Sequence, residues 1–462
     1  MESSDCAKAS VADQSREGVR MNLAEWLGRV ERREARVGIV GMGYVGLPLA
    51  LLFSEERFRV TGFDIDPEKV ERLNRGESYI YRIGAGEIQA AQARGLHATG
   101  NYSEIANVDA VLICVPTPLH DDHTPDMSYV VLTMEAIAPW LRAGQMVVLE
   151  STTYPGTTEE IVVETIERLG KVRVVRDEDA ESEGVLVAFS PEREDPGNRV
   201  TPRRTIPKVV GGVDKRATQV ACALYGTVFD RTVAMSSPAA AEMTKLLENI
   251  YRCVNIALVN EMKQLCLAMG IDLWEVIEAA ATKPFGFQAF YPGPGVGGHC
   301  IPVDPFYLSW KAEQFGVATR FIELAGEVNE SMPRYVVDTV ERALAVRAMS
   351  MAGASVLVLG IAYKRDVDDL RESPALTILD LLRKAGAKVE YNDPFFARVG
   401  RGRRYDLQME SVPLDDLGRF DCVLIVTDHS SYDYPRIVAE SRLVVDSRNA
   451  TRGIDSPKIV RC

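Results

Sequence analysis

A glycine-rich segment in the middle of the chain presents one cysteine in a setting that favours nucleophilic chemistry. Residues 293–305 read GPGVGGHCIPVDP, which puts Cys300 between a run of glycines and Pro302. Glycine lets the backbone approach a ligand closely, and a helix starting at Pro302 would turn its N-terminal dipole toward a Cys300 thiolate. Asp304 follows within reach of the same site. We interpret Cys300 as a displayed nucleophile; the alternative is a buried structural cysteine, because free cysteines are commonly buried.

A second glycine pattern, near the N-terminus, indicates a dinucleotide site. Residues 37–46 read VGIVGMGYVG, an apolar run followed by GxGxxG and a helical period, and Asp64 ends the next β-rich run. This arrangement is typical of a Rossmann unit that binds pyrophosphate at a helix N-terminus and ribose on the acidic residue. The predicted contacts in the glycine turn are Gly41, Gly43, Tyr44, Val45 and Gly46.

The carboxylate of Asp64 accepts hydrogen bonds from a ribose 2′-hydroxyl and repels a 2′-phosphate, which predicts NAD rather than NADP. Asp66 precedes Pro67 and is better suited to capping the following helix. Lys69 either lines the adenosine end of the cofactor or is solvated, and the sequence favours neither.

A polar pair on a predicted helix is the next candidate. Lys245 and Asn249 are four residues apart in AEMTKLLENIYR and therefore share one helix face. An ammonium and an amide side by side suit a developing oxyanion. A solvated polar stripe fits the same spacing equally well.

Three more polar residues follow predicted strands, where open α/β sheets bind ligands. Glu192 lies in SPEREDPG and is a candidate for activating water. Thr117 and Thr152 could face the nicotinamide, or could be ordinary turn residues. The sequence HDDH at 120–123 is similar to a metal-ligand cluster, but a short polar loop is more simply a solvated turn, so we predict no metal.

Alternating β-rich and helical runs indicate a three-part α/β architecture. Runs at 37–40, 59–63, 110–115, 146–150, 185–190 and 208–211 predict a parallel, doubly wound Rossmann-type domain over 36–235. Helical periods at 239–269, 272–281 and 318–348 predict a helical middle domain over 236–350. Runs at 355–359, 388–391, 422–426 and 443–445 predict a smaller Rossmann-like domain over 351–462, and residues 1–35 read as a polar tail and an amphipathic helix over 21–36.

Cations also follow the strands predicted for the last domain. Lys364 and Arg371 come after its first strand and Arg448 after a later one, where a second nucleotide could dock. The whole chain has 66 acidic and 53 basic residues, a formal charge of −13, which argues against nucleic acid or an anionic membrane as a general partner. An anionic substrate therefore needs such a local basic pocket.

Compartment and membrane association follow from cysteine spacing and hydropathy. The eight cysteines form no CxxC pair in this 462-residue chain, which favours a reducing cytosol over a disulfide scaffold. The N-terminus lacks a signal-peptide pattern, and no apolar run approaches the length of a membrane span. We therefore expect a cytoplasmic protein without membrane association.

Together these motifs resemble the nucleotide-sugar dehydrogenase family that includes UDP-glucose and GDP-mannose dehydrogenases, over residues 36 to 448. The likeness is greatest to the branch that oxidises UDP-N-acetylglucosamine. It rests on GMGYVGLPLA, ESTTYPGTTEE, SPEREDPGN, AAEMTKLLENIYR, ATKPFGF, YPGPGVGGHCIPVDPFYL and GIAYKRDVDDLRESPA. UDP-glucose dehydrogenases usually carry a lysine directly before the aspartate of the cysteine motif; Val303 stands here, which argues against UDP-glucose.

The resemblance implies a role for each candidate residue. Cys300 would be the nucleophile, with Lys245, Asn249 and Asp304 as catalytic companions and Thr117 and Glu192 positioning water. Arg371 would reach the cofactor. The implied substrate contacts are Lys364 and Arg448 for UDP, together with Glu192, Lys245, Asn249, Tyr291 and Gly297.

The expected reaction is a four-electron oxidation of the C6 alcohol of a UDP-sugar, with two NAD⁺ consumed and a cysteine thiohemiacetal and thioester on the way. The sequence leaves open UDP-glucose, UDP-N-acetylgalactosamine and UDP-N-acetylmannosamine as substrates. It also leaves open a two-electron dehydrogenase or epimerase and a non-catalytic NAD-binding scaffold. We further expect a homodimer or larger oligomer, formed through the helical middle.

Overall fold

The computed structural model contains two mainly parallel sheets with a helical segment between them in the chain. It describes residues 23–80, 83–120, 122–177, 183–193, 202–298, 301, 303–402 and 405–462. The predicted polar tail lies outside the described residues. The three-part α/β architecture predicted from the sequence is confirmed.

The first sheet has eight strands in the order β3-β2-β1-β4-β5-β6-β7-β8. Its strands are β1 Arg36–Val40, β2 Arg59–Phe63, β3 His97–Thr99, β4 Ala110–Ile113, β5 Met146–Leu149, β6 Leu186–Phe189, β7 Lys208–Gly212 and β8 Thr232–Ala234. The central strands β4, β5 and β6 are buried along their whole length. Burial on both faces explains their continuous apolar sequences.

One pairing in this sheet differs from the prediction. Neighbouring strands are parallel except β6 and β7, which are antiparallel and pair Phe189 with Gly211. A parallel pair needs a long crossover, usually a helix, whereas the described part of the β6–β7 connection contains only the 3-10 turn Arg203–Thr205. The prediction that the strand at 208–211 continues the parallel sheet was therefore wrong.

Helices cover both faces of the first sheet. They are α1 Leu23–Glu31, α2 Gly46–Glu55, α3 Pro67–Asn74, α4 Ala85–Ala93, α5 Ser128–Ile137, α6 Glu164–Leu169 and α7 Lys215–Tyr225, with a π-helical turn Thr158–Val163 before α6. Helix α1 packs into the core of this sheet through Trp26 and Val30. The Trp26 indole donates to the Gly144 carbonyl at 2.7 Å, and Arg29 pairs with buried Asp109 at 2.7 Å.

The middle of the chain is helical, as predicted. It comprises α8 Pro238–Met269, α9 Leu273–Ala281, α10 Asp304–Glu313 and α11 Arg320–Ala345. Ser237 caps α8 by accepting from the Ala240 amide, and Gly270 ends it in the left-handed conformation at φ 72°. Its 32 residues give α8 a length of about 48 Å, enough to contact both sheet domains.

The last domain has five parallel strands in the order β10-β9-β13-β14-β15. These are β9 Ser355–Leu359, β10 Lys388–Asn392, β13 Cys422–Ile425, β14 Val444–Asp446 and β15 Ile459–Arg461, with an antiparallel pair β11 Arg398–Arg401 and β12 Asp406–Glu410 and helices α12 Pro374–Lys384 and α13 Tyr434–Glu440. Strand β15 and the pair β11–β12 were not predicted from the sequence, and neither were β3 and β8 of the first sheet. Among the described helices, none combines the length and the apolar character that a membrane span requires.

Candidate active site

The glycine turn after β1 has the geometry of a phosphate-binding loop. Gly41 has φ 90°, and a Cβ there would lie 2.8 Å from the Cys114 carbonyl oxygen. A Cβ on Gly46 would lie 2.0 Å from the Gly41 oxygen, so this position also requires glycine. At Gly43 no heavy atom of the described residues lies within 4 Å of a Cβ position, which leaves room for a phosphate beside the N-terminus of α2.

Asp64 ends β2 next to this turn and is buried. One carboxylate oxygen accepts from the Met42 amide at 2.9 Å and the other from the Asp66 amide at 3.0 Å. Lys69 lies 3.5 Å from the same carboxylate, so it is an ion-pair partner of Asp64. The side chain of Asp66 accepts from the Glu68 amide, which confirms the prediction that it caps α3.

Arg371 links the last domain to the glycine turn. Its guanidinium lies 5.2 Å from the ring centroid of Tyr44, a half-exposed residue of the turn. Asp369 holds the guanidinium at 2.7 Å, and the Arg371 carbonyl accepts from the Gly298 amide at 2.9 Å. Arg371 therefore contacts both the glycine turn and the cysteine loop.

The polar face of α8 meets α10 at a buried cluster. The Lys245 ammonium donates to the Thr152 hydroxyl, and the Asn249 amide donates to Asp304 Oδ2 at 2.5 Å. Lys245, Thr152 and Asp304 are all buried. Within the described part of the chain, Asp304 Oδ1 has no hydrogen-bond partner. Lys245 is therefore not a solvated residue, and Asn249 is half-buried beside it.

Burial raises the pKa of Asp304 to about 6, while the Lys245 ammonium and the Asn249 hydrogen bond act in the opposite direction. A carboxylate with this pKa is poised to gain or lose a proton near neutral pH. The cluster thus places a tunable carboxylate beside a fixed cation and an amide donor.

Thr117 is tied to the same helix as Asp304. It is buried, and its carbonyl oxygen accepts from the Tyr307 hydroxyl at 3.0 Å. Since Tyr307 lies one turn after Asp304 on α10, this bond positions the Thr117 loop against the cluster.

Glu192 belongs to a buried charged network that the sequence analysis missed. Lys208 in β7 lies 3.5 Å from Glu192 and 2.6 Å from Glu150, which also accepts from the Tyr225 hydroxyl. Lys208 and Glu150 are buried. The only sequence signal was the position of a lysine and a glutamate at the ends of apolar strands.

Glu242 was also missed, although it lies one turn before Lys245 on α8. Its buried carboxylate accepts from the Gly156 amide at 2.6 Å and from the Thr158 amide at 2.9 Å. Burial raises the pKa of Glu242 to about 7. These bonds hold the segment that follows Thr152 against α8.

The predicted substrate cations of the last domain lie on two loops. Arg448 donates from Nε to the Val426 carbonyl at 3.0 Å, and a Cβ at Gly293 would lie 2.5 Å from its Nη1. The loop with Lys364 is anchored by buried His429, which accepts from the Asp366 amide at 3.0 Å and lies 3.1 Å from Asp393.

The cysteine loop is described only in part, and Cys300 and Pro302 lie outside the described residues. Helix α10 begins at Asp304 with Pro305 in its first turn. A Cβ on Gly297 would lie 2.7 Å from the Tyr363 Cβ, so this loop packs directly on the last domain. Tyr291 is half-exposed, and no described contact places it at the site.

The HDDH loop is described except for Asp121. His120 lies 3.9 Å from Asp126, and the His123 ring packs 4.3 Å from the Phe306 ring. Within the described ranges, no group of three or more His, Cys, Asp and Glu side chains has the arrangement of a metal site.

The fold is that of a dinucleotide-binding protein with two α/β domains. The buried cluster of Lys245, Asn249 and Asp304, the candidate reaction cluster, lies in the helical segment between those domains. Family models match in the same order along the chain. Those of the UDP-glucose/GDP-mannose dehydrogenase family cover residues 35–229 (NAD binding domain), 239–331 (central domain) and 357–453 (UDP binding domain).

Individual relatives agree with these matches. A UDP-N-acetyl-D-glucosamine 6-dehydrogenase from Pseudomonas aeruginosa is 33% identical over 87% of the chain and 92% of its own length. A UDP-N-acetyl-D-mannosamine dehydrogenase from Salmonella typhi is 34% identical over 90% of the chain and 99% of its own. The solved UDP-D-ManNAc dehydrogenase from Pyrococcus horikoshii superimposes with a TM-score of 0.82 at 31% identity, covering 92% of this chain and 98% of that one.

The chain belongs to the UDP-glucose/GDP-mannose dehydrogenase family. It is an NAD-dependent nucleotide-sugar dehydrogenase, as the resemblance implied. The glycine turn and Asp64 fit NAD, and the prediction of this cofactor is confirmed.

Proposed function

We propose that the enzyme oxidises the C6 alcohol of UDP-N-acetylglucosamine to the carboxylate and consumes two NAD⁺ for each sugar. The oxidation chemistry in this proposal rests on the hydrogen bond from Asn249 on α8 to Asp304 on α10. It places a donor for an oxyanion and an acceptor for a proton side by side, next to the cysteine loop. The Pseudomonas relative is named for this sugar. UDP-N-acetylmannosamine is the second candidate, because a relative of similar identity is named for it.

Residues of this chain have separate tasks in the first oxidation. Asp304 and Thr117 hold the water that takes the C6 hydroxyl proton, with Lys245 close to the oxygen as it loses that proton. Asp304 Oδ1 has no hydrogen-bond partner among the described residues, which supports this role. When bound, NAD⁺ supplies the acceptor for the two electrons of each oxidation.

Cys300 reacts with the aldehyde that the first oxidation produces. Its thiolate adds to the aldehyde carbon and forms a thiohemiacetal, which keeps the reactive carbonyl on the enzyme. The second oxidation gives a thioester, and Lys245 and Asn249 donate to the oxyanion that forms when water attacks it. Glu192 or Asp304 takes a proton from that water, and the bond to sulfur breaks to release the uronate. Overall, one alcohol, one water and two NAD⁺ give one carboxylate, two NADH and three protons.

The contacts of Lys208 with Glu192 and Glu150 support the proposed role of Glu192 in activating water. Lys208 stabilises a negative charge on Glu192 from a buried position, and Glu150 holds the ammonium in place from its other side. Such a fixed partner limits the orientations of the Glu192 carboxylate.

The test is the NADH yield with a panel of UDP-sugars. Each should be supplied in limiting amount: UDP-N-acetylglucosamine, its galacto and manno isomers and UDP-glucose. We expect two NADH per UDP-N-acetylglucosamine and the highest kcat/KM for that sugar. One NADH per sugar would point to a two-electron oxidation, and no NADH with any of the four sugars would refute the proposed substrates. A higher kcat/KM for UDP-N-acetylmannosamine would transfer the proposal to that substrate.

Asp64→Ala should weaken NAD binding, because the ribose loses its charged acceptor. Such a hydrogen bond contributes about 1.5 to 3 kcal/mol, so we expect the dissociation constant of NAD to rise by about one to two orders of magnitude. Titration of NAD by calorimetry measures this change, and the affinity for UDP should stay the same. Asp66→Ala is the matched control, since Asp66 caps α3. Equal NAD affinity in wild type and Asp64→Ala would place the ribose contact elsewhere.

Asn249→Ala should move the acid limb of the kcat/KM profile to higher pH. Asn249 stabilises ionised Asp304, whose pKa burial raises to about 6. Loss of one hydrogen bond to a charged group corresponds to about one to two pH units. The wild-type limb should lie near pH 6, with activity rising as Asp304 ionises. An acid limb at the same pH in both enzymes would assign this ionisation to another group.

We also propose that the enzyme is a homodimer formed through α8. One face of this helix carries exposed apolar side chains spaced four or seven residues apart, namely Met243, Leu247, Tyr251, Leu258 and Leu265. Such a stripe is the usual seam between packed helices. Sedimentation equilibrium should give twice the monomer mass, and a monomer at micromolar concentration would refute this proposal.

A further inference from the structure

A cavity of about 200 Å³ lies where the helical segment meets the last domain, away from the reaction cluster. The end of α8, the start of α9 and β15 surround it, through Lys263, Leu267, Asp272, Trp274 and Arg461. Lys263 follows Asn249 by 14 residues, which is about 21 Å along α8. The cavity is therefore separate from the Lys245–Asn249 face.

Lys263 is a buried cation without an acceptor in the described part of the chain. Its side chain is fully buried, and its Nζ has no hydrogen-bond partner among the residues that the structure describes. The ammonium lies 5.5 Å from the Trp274 ring centroid. Nearly all buried polar groups are hydrogen-bonded, because an unpaired one loses its hydration without compensation. Burial lowers the pKa of Lys263, in line with this environment.

Arg461 brings a second cation to the same cavity from β15. Its Nη1 donates to Asp272 at 2.8 Å, and a guanidinium has five N–H donors, so this bond uses only part of its capacity. With Lys263 and Arg461 against Asp272, the lining has an excess of positive charge. Leu267, Leu273 and Trp274 contribute apolar walls.

We propose that this cavity binds a small organic or inorganic oxyanion, a carboxylate or phosphate group held between Lys263 and Arg461. A water occupies about 30 Å³ of liquid, so a volume of about 200 Å³ suits a ligand of about seven to nine non-hydrogen atoms. That is far smaller than a UDP-sugar. The two cations and the apolar walls together match a charged group on a compact body.

The bound anion would connect two parts of the enzyme that must cooperate. Lys263 belongs to α8 and Arg461 to the last domain. The neighbouring helix α9 already contacts that domain through Glu278, which accepts from Arg452 at 2.7 Å. One turn before Lys263, Asn260 accepts from the Gly293 amide at 2.9 Å, and Gly293 packs against Arg448. Occupancy of the cavity therefore stabilises the arrangement of α8 next to the proposed UDP-binding loop.

The experiment measures ligand binding to the full chain without turnover, so its outcome does not depend on the proposed substrate. Inorganic phosphate and benzoate are titrated separately in the presence of saturating UDP, against chloride at equal ionic strength, with tryptophan fluorescence and thermal midpoint as readouts. Saturable binding of phosphate, benzoate or both supports the site, and their relative affinities distinguish a phosphate group from a carboxylate group. Saturating UDP excludes binding at the diphosphate site.

Lys263→Met should weaken the binding at least tenfold, as expected for loss of a hydrogen bond to a charged group. Lys283→Met is the matched control, because Lys283 is exposed in the same segment and lies 5.0 Å from the Phe285 ring. If Lys263→Met does not fold, Arg461→Gln tests the same cavity from β15. No saturable binding, wild-type affinity in a folded cavity variant, or equal weakening in Lys283→Met would each overturn the proposal.

Discussion

Lys245→Met should lower kcat by about 10² to 10³, the typical cost of removing one oxyanion donor. The affinity for the UDP-sugar should change only a few-fold, because the charge that Lys245 stabilises develops during the reaction. The buried contact of its ammonium with Thr152 and its position one turn from Asn249 motivate this expectation. Steady-state kinetics together with direct titration of the UDP-sugar separate the two quantities.

The control for Lys245→Met is a lysine that the structure places far from the reaction cluster. Lys384 lies on the exposed end of α12 and pairs with Asp380 at 2.7 Å, so Lys384→Met removes the same charge without reaching the site. Turnover within a few-fold of wild type in Lys245→Met would refute its role. Lost affinity with normal turnover would assign Lys245 to substrate binding and leave the oxyanion to Asn249 and backbone amides.

The dinucleotide site was predictable because its signal is local. A strand, a glycine turn and a helix follow one another within a few residues, and each glycine has a steric reason that a sequence pattern can capture. The close approach at Gly41 and Gly46 agrees with that pattern. The spacing of Lys245 and Asn249 predicted that they share one helix face. The burial of Lys245 could not be predicted, because it depends on contacts of α8 with other elements.

Contacts between distant residues were not predictable in the same way. Lys208 and Glu150 are 58 residues apart, and only the sheet order brings β7 near the end of β5. In the sequence, Glu242 is an ordinary polar residue of a helix. Only the structure shows that the Gly156 and Thr158 amides donate to its carboxylate. The antiparallel β7 depends on a connection without a crossover helix, and helical or strand periodicity does not report strand direction.

The burial of a helix residue cannot be predicted from its position along the helix when contacts with other elements determine it. Lys263 falls in a helix that carries many charges, so its sequence context suggests a solvated residue. In the structure it is as buried as Tyr307, because α9 and the last domain close over that face of α8. A buried lysine of this kind becomes visible only when the tertiary contacts are known.

Cys300→Ala should abolish formation of the uronate while leaving folding and NAD affinity intact. Without the thiolate the aldehyde is no longer held as a thiohemiacetal, so the second oxidation loses its substrate. Cys300→Ser should fail as well, because an oxygen ester forms and hydrolyses far less readily than a thioester. Mass spectrometry of the product and the NADH yield per sugar measure both effects, and Cys222→Ala on α7 is the control for loss of a half-buried thiol.

The outcome for Cys300→Ala also tests whether another cysteine acts instead. Burial raises the pKa of five described cysteines, namely Cys114, Cys222, Cys253, Cys422 and Cys462. A raised pKa keeps a thiol protonated, and the thiolate is the nucleophile, so these groups are poor substitutes. We therefore expect at most one NADH per sugar from Cys300→Ala, released slowly with free aldehyde. Uronate at the wild-type rate would show that the covalent route does not pass through Cys300 and would remove the central step of the proposed reaction.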